Sequence, residues 1–186
     1  MKYSPTFLAL AIVFAVIGCQ SSEGNSRKSQ AILDMKRATD FHSYSQPNEA
    51  VVTHLNWNAS VNFDDRIIRA TATYDIDASA NAERILLDCV DLTIEGVTVD
   101  GETVDWSMGP EQPFIGQPLS IPVTGDSKRI SIQYASAPSA GALLWVEGEQ
   151  PFLFTQSQAI LARTWIPCQD SPGIRFTYEA HVDVPV

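Results

Sequence analysis

The chain has 186 residues, with 12 Lys and Arg against 22 Asp and Glu, giving a formal net charge of −10. Such a surface repels phosphate backbones, which argues against nucleic acid as a partner. It equally gains nothing from anionic lipid headgroups, so any membrane contact must come from an anchor rather than from charge.

The elements begin with an apolar stretch, Phe7 to Ile17, behind the single positive charge of Lys2. Its eleven residues fall short of the roughly 20 needed for a membrane-spanning helix, and suit the hydrophobic region of a signal peptide. Val16-Ile17-Gly18-Cys19 closes the stretch and resembles a bacterial lipobox. That resemblance implies cleavage before Cys19 and a lipid on its thiol; the alternative is an ordinary secretory peptide with a chance cysteine. Gln20, where Asp would signal retention, implies the outer membrane by the Gram-negative sorting pattern. The expected location is the bacterial cell envelope, facing the periplasm. Removing residues 1–18 takes away one basic and no acidic residue, so the mature charge is −11.

Gln20 to Gln30 holds no apolar residue to bury and reads as a flexible tether. Ala31 to Asp40 has the makings of a helical turn or two. The expected layout is a lipoprotein signal peptide over 1–18, the lipidated Cys19 and tether over 19–39, and one folded domain over 40–186.

From Val51 onward the period is two. Leu55, Trp57, Ala59, Val61 and Phe63 alternate with polar residues, which predicts a half-buried strand. Asp64-Asp65-Arg66 supplies a turn, and Ile68, Ala70, Ala72, Tyr74 and Ile76 alternate back as the second arm of a hairpin. Ile85-Leu86-Leu87 with Cys89-Val90 is nearly continuous in apolar character, as in a strand covered on both faces. Asp100-Gly101 suits a tight hairpin turn. Leu119 to Val123 and Ile130 to Tyr134 continue the alternation, and Pro122 demotes the first of these to an edge or irregular strand. Ile174, Phe176, Tyr178, Ala180, Val182 and Val184 form the longest alternating series, and the chain stops two residues later. Eleven prolines and ten glycines punctuate these segments, and no long amphipathic helix appears. Roughly 140 residues of this pattern suffice for one all-β domain with its own core. The abrupt ending leads us to expect a longer protein cut at this point.

Catalytic motifs are scarce. A zinc peptidase helix needs two histidines four positions apart with a glutamate between them. The three histidines, His42, His54 and His181, hold no such pair. Neither a nucleophile elbow nor a glycine-rich phosphate loop is present. His54 and His181 fall on the polar faces of their strands, and His42 in an exposed lead-in segment. Asp64-Asp65 and the Asp88/Asp91 pair read as solvated turn or strand-edge residues. Cys89 and Cys168 could pair in an oxidising compartment, but both sit in apolar surroundings and read as small buried hydrophobes. Neither belongs to a C-x-x-C pair.

Ordered blocks across residues 40–186 carry a family resemblance. They are Asp40-Phe-His-Ser-Tyr-Ser-Gln-Pro47, His54-Leu-x-Trp57-x-x-x-Val61-x-Phe63 and Leu86-Leu-Asp-Cys-Val-Asp-Leu-Thr-Ile94. Tyr134 to Trp145, Gln156-Ser-Gln-Ala159 and Cys168-Gln-Asp-Ser-Pro172 complete the series. Together they resemble the amino-terminal domain of the zinc aminopeptidases, a gluzincin family, and most closely its leukotriene hydrolase/aminopeptidase branch.

The resemblance implies a saddle-like all-β domain of several mixed and antiparallel sheets, packed over a zinc peptidase domain. It also implies that Gln158 accepts a hydrogen bond from the α-ammonium of a peptide substrate. Gln156 and Ala159 would line the same subsite, with Gln156 holding Gln158 in place. Arg163 and Asp170 match the blocks too, but turn chemistry in Asp170-Ser-Pro-Gly173 assigns them to loop structure. Without the resemblance, Gln156 and Gln158 read as same-face polar residues of an edge strand. The expected partners are peptide amino termini, a downstream zinc peptidase domain and, through the anchor, a membrane. No cofactor is expected in this chain, zinc belonging to the absent domain, so the chain by itself should be inactive. The competing function is a stand-alone, lipid-anchored β-module that binds a partner and catalyses nothing.

Overall fold

The structure, a computed structural model, describes residues 40–185. The readings for 1–18, for Cys19 and for the tether over 19–39 lie outside the described residues.

The strands are β1 (Ala50–Asn62), β2 (Ile67–Ala78), β3 (Arg84–Cys89), β4 (Thr93–Val99), β5 (Glu102–Thr103) and β6 (Ser107–Met108). They continue as β7 (Gln117–Pro122), β8 (Arg129–Ala135), β9 (Leu143–Val146), β10 (Phe152–Thr155) and β11 (Thr177–Asp183). A single 3-10 turn, Ala162–Thr164, is the helical element of the described residues. The strands form a six-stranded sheet in the order β11-β1-β2-β8-β4-β5, a three-stranded sheet β3-β7-β6 and a two-stranded ribbon β10-β9. The all-β class agrees with the alternation in the sequence, and the mixture of parallel and antiparallel pairing agrees with what the family resemblance implies.

The alternation in β1 and β2 works as a period of two should. Leu55 lies opposite Tyr74, Trp57 opposite Ala72, Ala59 opposite Ala70 and Val61 opposite Ile68. All eight are buried. Ile130, Ile132 and Tyr134 of β8 extend the layer, and Ile85, Leu87, Leu119 and Ile121 from the three-stranded sheet join the same apolar cluster. Each fully buried aliphatic side chain contributes about 1.5–3 kcal/mol relative to exposure. At the β4–β5 turn, Asp100 and Gly101 take φ of 51° and 91°, the pair of positive angles that a two-residue hairpin turn demands.

One expectation is corrected. Pro122 does not put its strand at an edge: β7 is the central strand of its sheet, between β3 and β6. Pro122 is the last residue of β7 and faces Arg84 of β3, while β6 reaches only Ser120 and Leu119. A proline lacking its N–H is tolerated there because no second partner lies beside it. The long final alternation does form β11, yet every residue of β11 is exposed. It lies parallel to β1 at the rim of the large sheet, with Tyr178 and Val182 uncovered.

The core carries polar tips that lead toward the site. The Tyr74 hydroxyl donates to the carbonyl of Pro167 at 2.6 Å, and that of Tyr134 to the carbonyl of Trp165 at 2.9 Å. Burial pushes both phenols up from their ordinary value, so they remain neutral donors. Gln169 is buried as well: its side-chain carbonyl accepts from the Val52 amide at 3.0 Å, and its NH2 donates to the Ala50 carbonyl at 3.0 Å. It thus serves backbone groups beside the irregularity between Val52 and His54 in β1.

Candidate functional site

The ribbon β9–β10 ends at Thr155, and residues 156–161 form a loop leading into the 3-10 turn. The same-face edge-strand reading of Gln156 and Gln158 therefore fails, because the strand stops before either residue. The loop is tied at both ends. The Gln156 amide donates to the Ala142 carbonyl, and the Leu161 amide to the Ser157 carbonyl, both at 2.9 Å. The Thr164 hydroxyl accepts from the Ala142 amide at 3.1 Å and donates to the Leu161 carbonyl at 2.7 Å.

Within the loop, the Gln156 side-chain carbonyl accepts from the Gln158 amide at 3.0 Å. The peptide between Gln158 and Ala159 is cis. Gln156, Gln158 and Ala159 are all exposed. The structure thus brings the three sequence-predicted residues together on one loop, with Gln156 bonded to the backbone of Gln158 and the Gln158 side chain open to solvent. A side-chain amide in that position can accept a hydrogen bond from an ammonium or donate one to a carbonyl.

Behind this loop lies a buried ionic group that the sequence reading assigned to the surface. Asp88 is fully buried, whereas its neighbour Asp91 is exposed. The Asp88 carboxylate accepts from the Ser43 hydroxyl at 2.6 Å, the Tyr44 amide at 2.7 Å and the Asp170 amide at 3.0 Å. Arg163, also fully buried, stands 3.7 Å from it. Arg163 donates to the Asp170 carboxylate at 3.1 Å, to the Asp170 carbonyl at 3.0 Å and to the Ile115 carbonyl at 2.9 Å. Burial raises the Asp88 carboxyl above its usual value, opposed by these hydrogen bonds and by the guanidinium. The group joins the lead-in segment, the end of β3, the 110–116 loop and the Cys-Gln-Asp turn. An isolated aspartate between Leu87 and Cys89 gave no periodicity signal; only its place in the Leu-Leu-Asp-Cys block could have marked it.

Cys89 and Cys168 are free and buried, as small hydrophobes, and burial pushes both thiols upward. His42 and His181 are exposed, and the His54 ring bonds to the Thr177 hydroxyl at 2.7 Å. Among the described residues no three His, Cys, Asp or Glu side chains come together to hold a metal ion. The described residues therefore offer no donor set that fits a zinc ion.

Comparison with known proteins identifies the family to which the fold belongs. Residues 51–186 match the family described as Peptidase M1 N-terminal domain. Leukotriene A-4 hydrolase of Xenopus laevis is 32% identical over 158 residues, covering 78% of this chain and 26% of that protein. Leucine aminopeptidase 2 of Eremothecium gossypii is 31% identical over 169 residues, covering 86% of this chain and 27% of that protein. The chain spans about a quarter of the length of the curated relatives it matches. Among solved structures, yeast LTA4 hydrolase in complex with bestatin superposes with a TM-score of 0.75 at 25% identity, over 84% of this chain and 26% of that one. An M1 zinc metallopeptidase of Deinococcus radiodurans bound to Tyr-Ser-Ala has a TM-score of 0.58 at 18% identity, over 76% and 34% of the two chains, and shares the fold. With 136 consecutive residues matched by the family and a β architecture that superposes on its solved members, the chain belongs to the M1 peptidase N-terminal domain family, in the leukotriene A4 hydrolase/leucine aminopeptidase branch.

Proposed function

We propose that this chain is the substrate-facing amino-terminal part of a lipid-anchored zinc aminopeptidase that removes residues from peptide amino termini. Gln158 accepts a hydrogen bond from the substrate's free α-ammonium, and Gln156 and Ala159 line the same subsite. The observation that carries this reading is the loop: an exposed Gln158 whose backbone is held by Gln156. A neutral acceptor for an ammonium gains only part of the strength of a full ion pair, yet still disfavours a blocked terminus.

Hydrolysis is assigned to a zinc peptidase domain beyond the described residues, a reading supported by the relatives being about four times as long as the matched part. Uncovered apolar surface supports a further body packing here. Leu144, Phe152 and Phe154 are each more than half exposed on one face of the ribbon. Next to it, a groove of about 460 Å³ is lined by Trp57, Phe63, Phe152, Trp165, Val182 and Val184. Apolar surface of this kind marks an interaction site more often than a free face. Cys19 carries the lipid and holds the protein at the periplasmic face of the outer membrane.

The first test is catalytic. The 186-residue chain with added zinc is expected to hydrolyse no aminoacyl-arylamide; zinc-dependent turnover would overturn the assignment of the chemistry to another domain. The coding DNA downstream of codon 186 is expected to encode H-E-x-x-H, and a stop codon there would favour a stand-alone binding module. Labelling of the wild type with radioactive palmitate, abolished by Cys19→Ala, checks the anchor.

A further inference from the structure

We infer that Trp165 and Ser157 form a positioning pair that fixes the loop presenting Gln158, and so sets how sharply the site discriminates free from blocked amino termini. The inference rests on the substrate role proposed for Gln158. Ser157 stands between the two glutamines, and its hydroxyl accepts a hydrogen bond from the Trp165 indole N–H at 3.0 Å. Its carbonyl is occupied as well, by the Leu161 amide at 2.9 Å. The residue preceding Gln158 is thereby held through both its backbone and its side chain.

The indole that holds Ser157 is itself anchored in the core. The carbonyl of Trp165 accepts from the Tyr134 hydroxyl at 2.9 Å, and that hydroxyl accepts from the Trp57 indole N–H at 2.8 Å. The rings of Trp57 and Trp165 meet edge to face, with centroids 5.3 Å apart and planes at 85°. Trp57 and Tyr134 are buried strand residues of the large sheet. A continuous strut therefore runs from β1 and β8 through Trp165 to Ser157. Gln158 has no hydrogen bond to the sheet of its own; its amide bonds only to the neighbouring exposed Gln156.

A binding group must be held close to its productive geometry for one hydrogen bond to separate two ligands. Losing the indole–hydroxyl bond frees the Ser157 side chain and lets Gln158 sample positions from which its carbonyl misses the ammonium. The effect falls on selectivity, because an acetylated ligand offers no ammonium to that carbonyl and loses nothing.

The test is a titration of the 186-residue chain with leucinamide and with N-acetyl-leucinamide, followed by amide NMR shifts, with the ratio of the two dissociation constants as readout. Wild type is expected to prefer leucinamide, and Gln158→Ala to abolish the preference. Ser157→Ala and Trp165→Phe are each expected to reduce the ratio about three- to tenfold, the worth of one hydrogen bond. The double variant should fall no further than either single one, since both remove the same bond. Ser157→Thr, which keeps the hydroxyl, should retain the wild-type ratio. Ser157→Ala removes one partly exposed oxygen, so it decides the matter even if Trp165→Phe loosens the core. Should Ser157→Ala keep the preference within twofold while wild type discriminates, the positioning role is wrong and the reading of Gln158 stands. Should wild type bind both ligands equally, the reading of Gln158 falls and the positioning role with it.

Discussion

Asp88 shows how one side chain can join segments that lie far apart in the chain. Its two oxygens accept from Ser43, Tyr44 and Asp170, and a buried guanidinium lies beside them. In Asp88→Asn an NH2 group must face at least one of these donors, leaving that donor buried without an acceptor. We expect a loss of about 2 kcal/mol in chemical denaturation. Two carboxyls should also titrate on opposite sides of 3.8, the ordinary aspartate value. The backbone N–H of His42 holds Asp40 below it, whereas burial holds Asp88 above it. The stabilising contribution of Asp40 is present above pH 3.8 and is lost as pH falls through its lowered value. Ionised Asp88 costs the fold, so its contribution is fully present below 3.8 and is lost as pH rises through its raised value. Carboxyl-detected NMR titration of the two residues checks both directions.

Among the elements, legibility followed burial on one face. β1 and β2 could be read residue by residue because each has one covered and one wet side. The ribbon β9–β10 could not, since Leu144, Phe152 and Phe154 point outward while Leu143, Leu153 and Trp145 pack inward, leaving no alternation of polarity. Pro122 misled because a proline reports a missing donor, and at a strand end no donor is needed. The glutamine loop was located through the resemblance alone; neither periodicity nor spacing would have separated it from an edge strand. Turn chemistry was the other dependable signal, and two glycines test it. Gly101 has φ of 91° with no atom within 4 Å of an added Cβ, so Gly101→Ala should cost about 1 kcal/mol in backbone strain alone. At Gly116, φ is 82° and an added Cβ would lie 2.2 Å from the Cys89 carbonyl oxygen. Gly116→Ala should therefore cost about 1–3 kcal/mol more than Gly101→Ala. Paired urea melts of the two variants measure the difference.

For the whole domain, the uncovered apolar surface makes a prediction of its own. The isolated chain should bind an apolar dye such as ANS while fully folded. Replacing Leu144, Phe152 and Phe154 together by serine should remove most of that signal and lower the melting temperature by no more than a few degrees, because all three side chains are largely exposed. Loss of cooperative melting in this variant would show that the ribbon packs against the core on both faces.

The parallel register of β11 beside β1 also has a kinetic side. His54 meets Thr177, a residue 123 positions later in the chain. On the ribosome, β1 can close its hairpin with β2 at once, but its other edge stays bare until Asp183 has emerged. The domain therefore spends most of its synthesis with an open strand edge, the condition in which chains pair with the wrong neighbour. Closing so long a loop is entropically late, and β11 should be the last strand to gain hydrogen-exchange protection during refolding. Anything that removes β11 would leave the interior of the fold standing and its most adhesive edge exposed.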